Sequence, residues 1–272
     1  MPPISGAFLS PQFMESLNYY SGRLKSYYEV VGTVAMRNVK LRYKNSILGI
    51  VWSLLNPLIY LLIFIVIFRD VFDLENYPLF ILSGLVFWTF FSGTSIQILG
   101  SILDSGGILK SLSVPPIIFP LSHLISSIIN LLLMLIPFFI LMLFFGLQLS
   151  WNTLLIIPGI VLIALFTFGF SIILCAFNVF FRDVSMFYNT ILPAIFYLTP
   201  IAYPIDNVPP NFQIILKLNP LFHFISFFRD ILYYNRIPQL GTTIITLGLA
   251  IVFTIAGLYI FKSLKKGFIS HL

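Results

Sequence analysis

Residues 37–70, RNVKLRYKNSILGIVWSLLNPLIYLLIFIVIFRD, set the architecture of this chain. The stretch begins with a basic cluster and then has no charge across residues 47–68. The basic cluster consists of Arg37, Lys40, Arg42 and Lys44. The 22 uncharged residues would form a helix of about 33 Å, long enough to cross a hydrocarbon core of about 30 Å. Because lysine and arginine accumulate on the cytoplasmic side of a membrane, we expect this span to begin in the cytoplasm.

The composition places most of the chain in a membrane. Of its 272 residues, 59% are apolar and only 9% are charged, whereas soluble domains are charged at about a quarter of their positions. The remaining polar residues are too few for a soluble domain, so we expect one membrane domain over residues 1–272. The net charge of +6 comes from basic residues at the ends of apolar segments, which argues against a nucleic-acid partner.

We expect neither a cleavable signal peptide nor an intrachain disulfide. The first residues, MPPISGAFLS, lack a basic region followed by an apolar run, so we expect the first spans to direct insertion. The single cysteine, Cys175, lies within an apolar run and is expected to be a small buried or lipid-facing residue.

Residues 23–45 have the periodicity of an amphipathic helix. The apolar stripe of this helix consists of Leu24, Tyr27, Tyr28, Val31, Val34, Ala35 and Val39. The opposite face carries Ser26, Glu29, Thr33, Arg37, Lys40 and Lys44. The pattern predicts a helix in the cytoplasmic headgroup layer, inside an interface segment of residues 1–46, with a plain soluble helix as the alternative. Arg42 returns to the apolar side, and we expect a bend near it.

Six apolar segments predict six transmembrane helices within a membrane domain of residues 49–261. The predicted spans are 49–68, 78–100, 117–145, 154–180, 185–204 and 240–261. An even number of crossings puts both termini on one side. The cytoplasmic side then receives Arg23, Lys25, the basic cluster, Lys110, Arg182, Lys262, Lys265 and Lys266, and the outer side receives Arg69, Lys217, Arg229 and Arg236. This bias predicts cytoplasmic termini, with residues 262–272 as a cytoplasmic tail.

The outer segment between the fifth and sixth spans, residues 205–239, is too polar to span and too apolar for a free loop. Its two apolar runs, 212–218 and 221–234, are separated by Asn219-Pro220. We expect two short re-entrant helices that dip into the outer leaflet, with two helices lying flat on the surface as the alternative.

The tripeptide Phe-Arg-Asp occurs at residues 68–70, 181–183 and 228–230, each time at a predicted membrane edge. We interpret these tripeptides as anchors that set the ends of spans, with contacts to a partner or substrate as the alternative.

Several kinds of chemistry have no matching motif. The sequence contains no phosphate-binding G-x-x-x-x-G-K-[ST] loop and no H-E-x-x-H or Cys/His metal spacing. No predicted span carries a charge near its middle, which argues against a proton-driven pump but leaves sodium sites made from backbone carbonyls open. Aromatic residues form 17% of the chain. Most should pack or lie at the interface, and a minority facing a pore could stack on sugar rings.

At this point the motifs resemble a known family. RNVKLRYKNSILGIVWSLLNPL (37–58) is similar to the opening signature of the permease subunits of type-2 ABC exporters for cell-surface polysaccharides, such as O-antigen, teichoic acid and capsule. The resemblance continues in order through residues 77–91, 101–122, 164–187, 196–209 and 218–232, and YPLFILSGLVFWTFF, NVFFRD and LNPLFHFISFFRDIL are among the matching runs.

The resemblance implies a homodimer in the cytoplasmic (inner) membrane, paired with two copies of an ATP-binding cassette ATPase. ATP and magnesium would bind the ATPase, and this chain would need no cofactor. The expected substrate is a glycan on undecaprenyl diphosphate, surrounded by membrane lipids. The resemblance also implies the interface helix, six spans and outer re-entrant helices, in agreement with the hydropathy pattern.

Three groups of site residues follow from the resemblance. The basic cluster would approach the lipid diphosphate, since arginine suits forked contacts with phosphate oxygens. The first and fifth spans would line the pore with Tyr60, Phe64, Tyr188, Phe196, Tyr197 and Tyr203. The cytoplasmic loop of residues 101–113 would couple to the ATPase through Asp104, Gly106, Gly107, Ile108, Leu109 and Lys110.

Two rival functions stay open. A drug or lipid exporter of the same fold would need no aromatic track. A membrane enzyme acting on polyprenyl-linked sugars would need clustered carboxylates. The outer acids are the only candidates for such a cluster, and they resemble ordinary loop residues: Asp70, Asp73, Glu75, Asp206 and Asp230.

Overall fold

A computed structural model describes residues 24–44, 46, 48–49, 51–68, 71–72, 74–146 and 150–272. Within these ranges the regular structure is helical and no strand occurs, which confirms the all-α prediction. The predictions for residues 1–23, for Arg69, Asp70 and Asp73, and for the side chains of residues 24–26 lie outside the described residues.

The helices follow one another with short connections. They are α1 (Leu24–Tyr43), α2 (Val51–Phe68), α3 (Tyr77–Asp104), α4 (Gly106–Ser111), α5 (Ile118–Phe144), α6 (Ile156–Phe180), α7 (Asp183–Tyr197), α8 (Pro210–Leu218), α9 (Pro220–Leu232), α10 (Leu240–Leu264) and α11 (Phe268–His271). Short 3₁₀ turns lie at Trp151–Leu155, Ile205–Asn207 and Lys265–Gly267.

Four helical stretches in the described part of the chain are long and apolar enough to cross a membrane. They are Tyr77–Ser111, Ile118–Phe144, Trp151–Phe180 and Leu240–His271. These stretches contain almost all of the predicted second, third, fourth and sixth spans. Hydropathy alone therefore located the long helices.

The other two predicted spans correspond to shorter helices. The apolar part of α2 runs from Leu54 to Phe68. α7 has 15 residues, or about 22 Å, and ends at Tyr197, so the prediction of one span to residue 204 is wrong at that end. Pro200 accounts for the difference, because a proline disfavours helical backbone in the residue before it, here Thr199. Six crossings therefore stay a prediction.

α3 forms the centre of the subunit. It packs against α5, α6 and α2, and also contacts α9. Small hydroxyl residues allow close packing along it: Ser83, Ser95 and Ser101 are fully buried, and each bonds a backbone carbonyl three residues earlier. The small size of these residues lets the surrounding helices pack closely against α3.

α6 and α10 form the tightest helix pair through two glycines. A Cβ atom placed on Gly257 would lie 2.4 Å from the carbonyl oxygen of Gly169. One placed on Gly169 would lie 2.3 Å from the backbone carbon of Phe253. Such contact between backbones is typical of helix pairs in lipid, where small residues permit close approach.

The outer segment contains two short helices, α8 and α9, divided at Asn219-Pro220 as predicted. The Asn219 side-chain oxygen accepts a hydrogen bond from the Leu221 backbone N–H at 3.0 Å and caps α9. Its amide group donates to Thr199 Oγ1 at 2.8 Å, which ties the segment to the end of α7. The two helices are thus confirmed, and their depth in a membrane stays a prediction.

Candidate functional site

α1 rests on α5 through its apolar stripe. Val31, Val34 and Ala35 are buried, and Ser122 Oγ of α5 donates to the Val31 carbonyl oxygen at 3.2 Å. Two other residues of the predicted stripe, Tyr27 and Tyr28, are exposed, at 39% and 82%. α1 runs without interruption to Tyr43, so the expected bend near Arg42 coincides with the end of the helix.

The structure divides the basic cluster between two sides of α1. Arg37, Lys40 and Lys44 share one side, because they are spaced by three and four residues. Arg42 lies on the other side, where it borders a cavity together with Tyr43. The four basic residues therefore do not form one site.

The cavity beside Arg42 has a volume of about 320 Å³ and a mixed polar and aromatic lining. Residues from four helices contribute to it: Arg42 and Tyr43 of α1, Trp52 and Asn56 of α2, Thr89 and Gly93 of α3, and Asn130 and Met134 of α5. Tyr43 Oη donates to Asn130 Oδ1 at 2.8 Å, which joins the end of α1 to α5. We call this space the Arg42 cavity.

Arg42 of α1 and Trp52 of α2, on either side of the connection between these helices, both line the Arg42 cavity. Gly49 has a φ of +49°, a left-handed conformation that favours glycine. Ser46 Oγ accepts a hydrogen bond from the Gly49 N–H at 3.1 Å and stabilises that conformation.

The Arg42 cavity carries side chains that can bind phosphate and hydroxyl oxygens. A guanidinium group binds phosphate oxygens through paired hydrogen bonds, and two side-chain amides can bond hydroxyl groups. Trp52, 52% exposed, offers an aromatic face. A Cβ added to Gly93 would touch nothing within 4 Å, so the wall is open there.

Two of the predicted pore aromatics, Phe64 of α2 and Phe196 of α7, are in contact. Phe64 and Phe196 stack with ring centroids 6.0 Å apart, and Trp88 of α3 packs on Phe196 at 5.2 Å. Tyr60 and Tyr197 are exposed beside this stack.

The other two predicted pore aromatics, Tyr203 and Tyr188, make defined hydrogen bonds. Tyr203 Oη donates to the Tyr197 carbonyl oxygen at 2.6 Å. Tyr188 is 3% exposed, and its hydroxyl group lies 2.6 Å from Ser95 Oγ. The Tyr188 side chain is therefore packed inside the subunit in this conformation.

The predicted coupling residues lie at the end of α3, which finishes at Asp104, and in the short helix α4 that follows it. Gly106, Ile108 and Leu109 are buried and anchor α4 to the subunit. Asp104, Gly107 and Lys110 are exposed. A partner protein could therefore reach the second group and not Ile108 or Leu109.

Arg229 is an internal contact that the sequence analysis missed. Its guanidinium group donates to the carbonyl oxygens of Pro200 at 2.6 Å and Ile201 at 2.5 Å, and its Cζ lies 3.7 Å from the ring centroid of Phe80. Burial lowers the pKa of Arg229 to about 9, a value at which it is still charged at neutral pH. Arg229 thus links α9 to the backbone that follows α7. The only sign of this contact in the sequence was the third Phe-Arg-Asp tripeptide, residues 228–230.

The acidic residues do not form a catalytic cluster in the described part of the chain. Asp230 pairs with Arg236 at 2.6 Å, while Glu75 and Asp206 are exposed. Among the described residues no group of three or more His, Cys, Asp or Glu could hold a metal ion.

Comparisons with known proteins match nearly the whole chain. The sequence model of a family described as ABC-2 type transporter matches residues 29–233. The O-antigen export system permease protein RfbA of Klebsiella pneumoniae is 34% identical over 250 residues, covering 89% of this chain and 94% of that protein. RfbA of Myxococcus xanthus is 29% identical over 250 residues, with coverages of 90% and 96%. The polysialic acid transport protein KpsM of Escherichia coli is 26% identical over 251 residues, with coverages of 87% and 92%.

Proposed function

Since this chain belongs to the ABC-2 type transporter family, we propose that it is the permease subunit of an ATP-driven exporter of cell-surface polysaccharide. The names of its relatives support this substrate class, because they refer to O-antigen export and polysialic acid transport. The chain works as a homodimer in the cytoplasmic membrane. A separate ATPase in two copies binds ATP and magnesium, and the permease itself catalyses no reaction.

The observation that carries the proposal is the Arg42 cavity. Arg42 receives the diphosphate of an undecaprenyl-linked glycan, and Trp52, Asn56 and Asn130 contact its first sugar. The exposed apolar side of α2 leaves the lipid chain in the bilayer. This arrangement suits a charged head group on a hydrocarbon tail better than it suits a wholly apolar drug.

The glycan then passes along the aromatic surface where α2 meets α7. Aromatic faces bind sugar rings without charge, so successive sugars can slide past Tyr60, Phe64, Phe196 and Tyr197. In this proposal α2 and α7 complete six crossings, and α8 and α9 lie as re-entrant helices in the outer leaflet. Residues 1–272 form one permease domain.

The proposal is tested by co-expression with each ATP-binding cassette ATPase of the source organism. We expect the chain and one of these ATPases to purify together, and we expect surface glycan only when both are present. An enzyme acting on polyprenyl-linked sugars would instead turn over its substrate in vesicles that contain this chain alone. That result would refute the proposal.

The proposed topology predicts which introduced cysteines face the cell exterior. In a Cys175→Ala background, Glu75→Cys and Pro209→Cys should react with a membrane-impermeant thiol reagent in intact cells, because both positions are exposed on the outer side. Gly107→Cys, exposed on α4, should react only after the cells are opened. Labelling of Gly107→Cys in intact cells, with protection of the other two, would contradict six crossings with cytoplasmic termini.

The coupling surface predicts a charge effect at Lys110. Lys110→Glu should weaken binding of the ATPase by about fivefold to thirtyfold, since reversing one exposed charge costs about 1–2 kcal/mol. Lys217→Glu is the matched control, because Lys217 is exposed on α8 at the outer side. The measurement is the affinity of the purified permease for its ATPase. Equal affinities for the two variants would exclude Lys110 from the contact.

A further inference from the structure

The helical path continues beyond α10 and packs back onto the subunit. The 3₁₀ turn Lys265–Gly267 follows α10, and the short helix α11 follows that turn. Phe268 of α11 is fully buried, with its ring centroid 6.0 Å from that of Phe180 and 5.2 Å from that of Phe261. We call residues 265–272 the return segment.

The return segment packs directly on the backbone of α4. A Cβ atom placed on Gly106 would lie 3.3 Å from Leu272 Cδ2 and 3.7 Å from Leu272 Cβ. The absence of a side chain at Gly106 lets Leu272 lie against the first turn of α4. Leu272 itself is partly buried against the hydrophobic core.

The return segment also contacts the last residue of α6. The His271 ring packs edge-on against Phe180 with centroids 4.6 Å apart. A Cβ atom added to Gly267 would lie 3.1 Å from Phe180 as well, so the backbone passes close to that ring. Only Phe181 and Arg182 separate Phe180 from the start of α7. One short segment therefore touches both α4 and the corner where α6 becomes α7.

We propose that the return segment is a brace that positions α4 against the α6–α7 corner, so that a displacement of α4 reaches α7. This inference rests on the proposed function, in which α4 meets the ATPase and α7 lines the pore. α4 has six residues, and an isolated helix of that length is not stable. Its position must therefore come from its neighbours, and Leu272 and Phe268 are the positioning residues.

Substitution of Leu272 tests the brace by separating coupling from assembly. Leu272→Asp should lower the amount of glycan exported per ATP hydrolysed at least fivefold, while the ATPase still co-purifies. Leu272→Met should keep the ratio of glycan exported to ATP hydrolysed that the unsubstituted chain has, since methionine fills the same contact with Gly106. Ile269→Asp is the matched control, because Ile269 lies in the same short helix and is 61% exposed. An unchanged ratio in Leu272→Asp, or an equal loss in Ile269→Asp, would overturn the proposal.

A cross-link provides a second test that does not depend on a destabilising change. Gly106→Cys with Leu272→Cys, in the Cys175→Ala background, places two Cβ atoms 3.7 Å apart, within the range of about 3.5–4.5 Å for disulfides. We expect the disulfide to form on oxidation and transport to continue, because a brace and α4 move together. Loss of transport that a reductant reverses would show that they must separate, and would overturn the proposal.

The outcomes also distinguish this inference from the proposed function. If the unsubstituted chain neither binds an ATPase nor supports export, the proposed function and the brace fail together. If the unsubstituted chain does both and Leu272→Asp retains full coupling, only the brace fails.

Discussion

Gly257→Val should lower the thermal stability of the folded chain and its yield in the membrane, whereas Gly248→Val in the same helix should leave both nearly unchanged. A Cβ atom at Gly257 would lie 2.4 Å from the Gly169 carbonyl oxygen and 2.8 Å from Ile172 Cγ1, so α6 and α10 would have to separate. The free energy of unfolding should fall by about 3 kcal/mol, the upper end of typical overpacking costs, because the clash involves backbone that cannot rotate away.

Gly248 is the control for the intrinsic effect of valine in a helix. It lies nine residues earlier in α10, and a Cβ atom there would meet nothing within 4 Å. The measurement is the thermal transition of each variant after purification in detergent, together with its yield in the membrane. Gly169→Val should behave like Gly257→Val, since the two glycines share one contact. Equal transitions for the two α10 variants would show that the helices do not approach this closely.

The glycine contact also shows where sequence reasoning stops. Apolar runs predicted the long helices α3, α5, α6 and α10, because a segment buried in lipid must be apolar over its whole length. The same uniformity removes the amphipathic pattern that would tell which side of α10 faces α6. Gly169 and Gly257 were therefore visible in the sequence without any sign that they meet.

The end of α7 and the hydrogen-bond partners of Arg229 also could not be predicted from the sequence. Hydropathy continues through residues 198–204, but the backbone leaves the helix before Pro200. That break exposes carbonyl groups, and Arg229, 28 residues further on, bonds two of them. A contact between backbone groups and a distant side chain leaves no pattern in a single sequence.

The candidate site was predicted in part. The helical wheel turned Arg42 away from Arg37, Lys40 and Lys44, and the structure places Arg42 on the side of α1 that faces the cavity. The rest of the lining comes from α2, α3 and α5, with Asn130 lying 88 residues after Arg42. Asn56 and Asn130 are the only side-chain amides in the apolar helices α2 and α5, and an amide in such a helix is the signal that could have found them.

Arg42→Lys should damage export more than Lys44→Ala does, although it keeps the charge. Arg42 borders the cavity, whereas Lys44 lies on the opposite side of α1. A forked contact between guanidinium and phosphate is charge-assisted and worth about 1.5–3 kcal/mol, whereas one juxtamembrane lysine contributes about 1 kcal/mol toward an anionic surface. Loss of the fork should therefore lower export roughly tenfold to a hundredfold, and loss of Lys44 about fivefold at most.

The measurement is surface glycan per inserted permease, so that an effect on insertion is removed from the comparison. A general role in membrane attraction predicts the reverse order, because only Lys44→Ala removes a charge. A role in topology alone predicts no effect of either change once insertion is equal. Asn130→Ala adds a further distinction, since it removes the acceptor of the Tyr43 hydrogen bond from the cavity wall and alters no charge. If the cavity binds the head group, Asn130→Ala should weaken export in the same direction as Arg42→Lys, and near-wild-type export in both variants would refute the site.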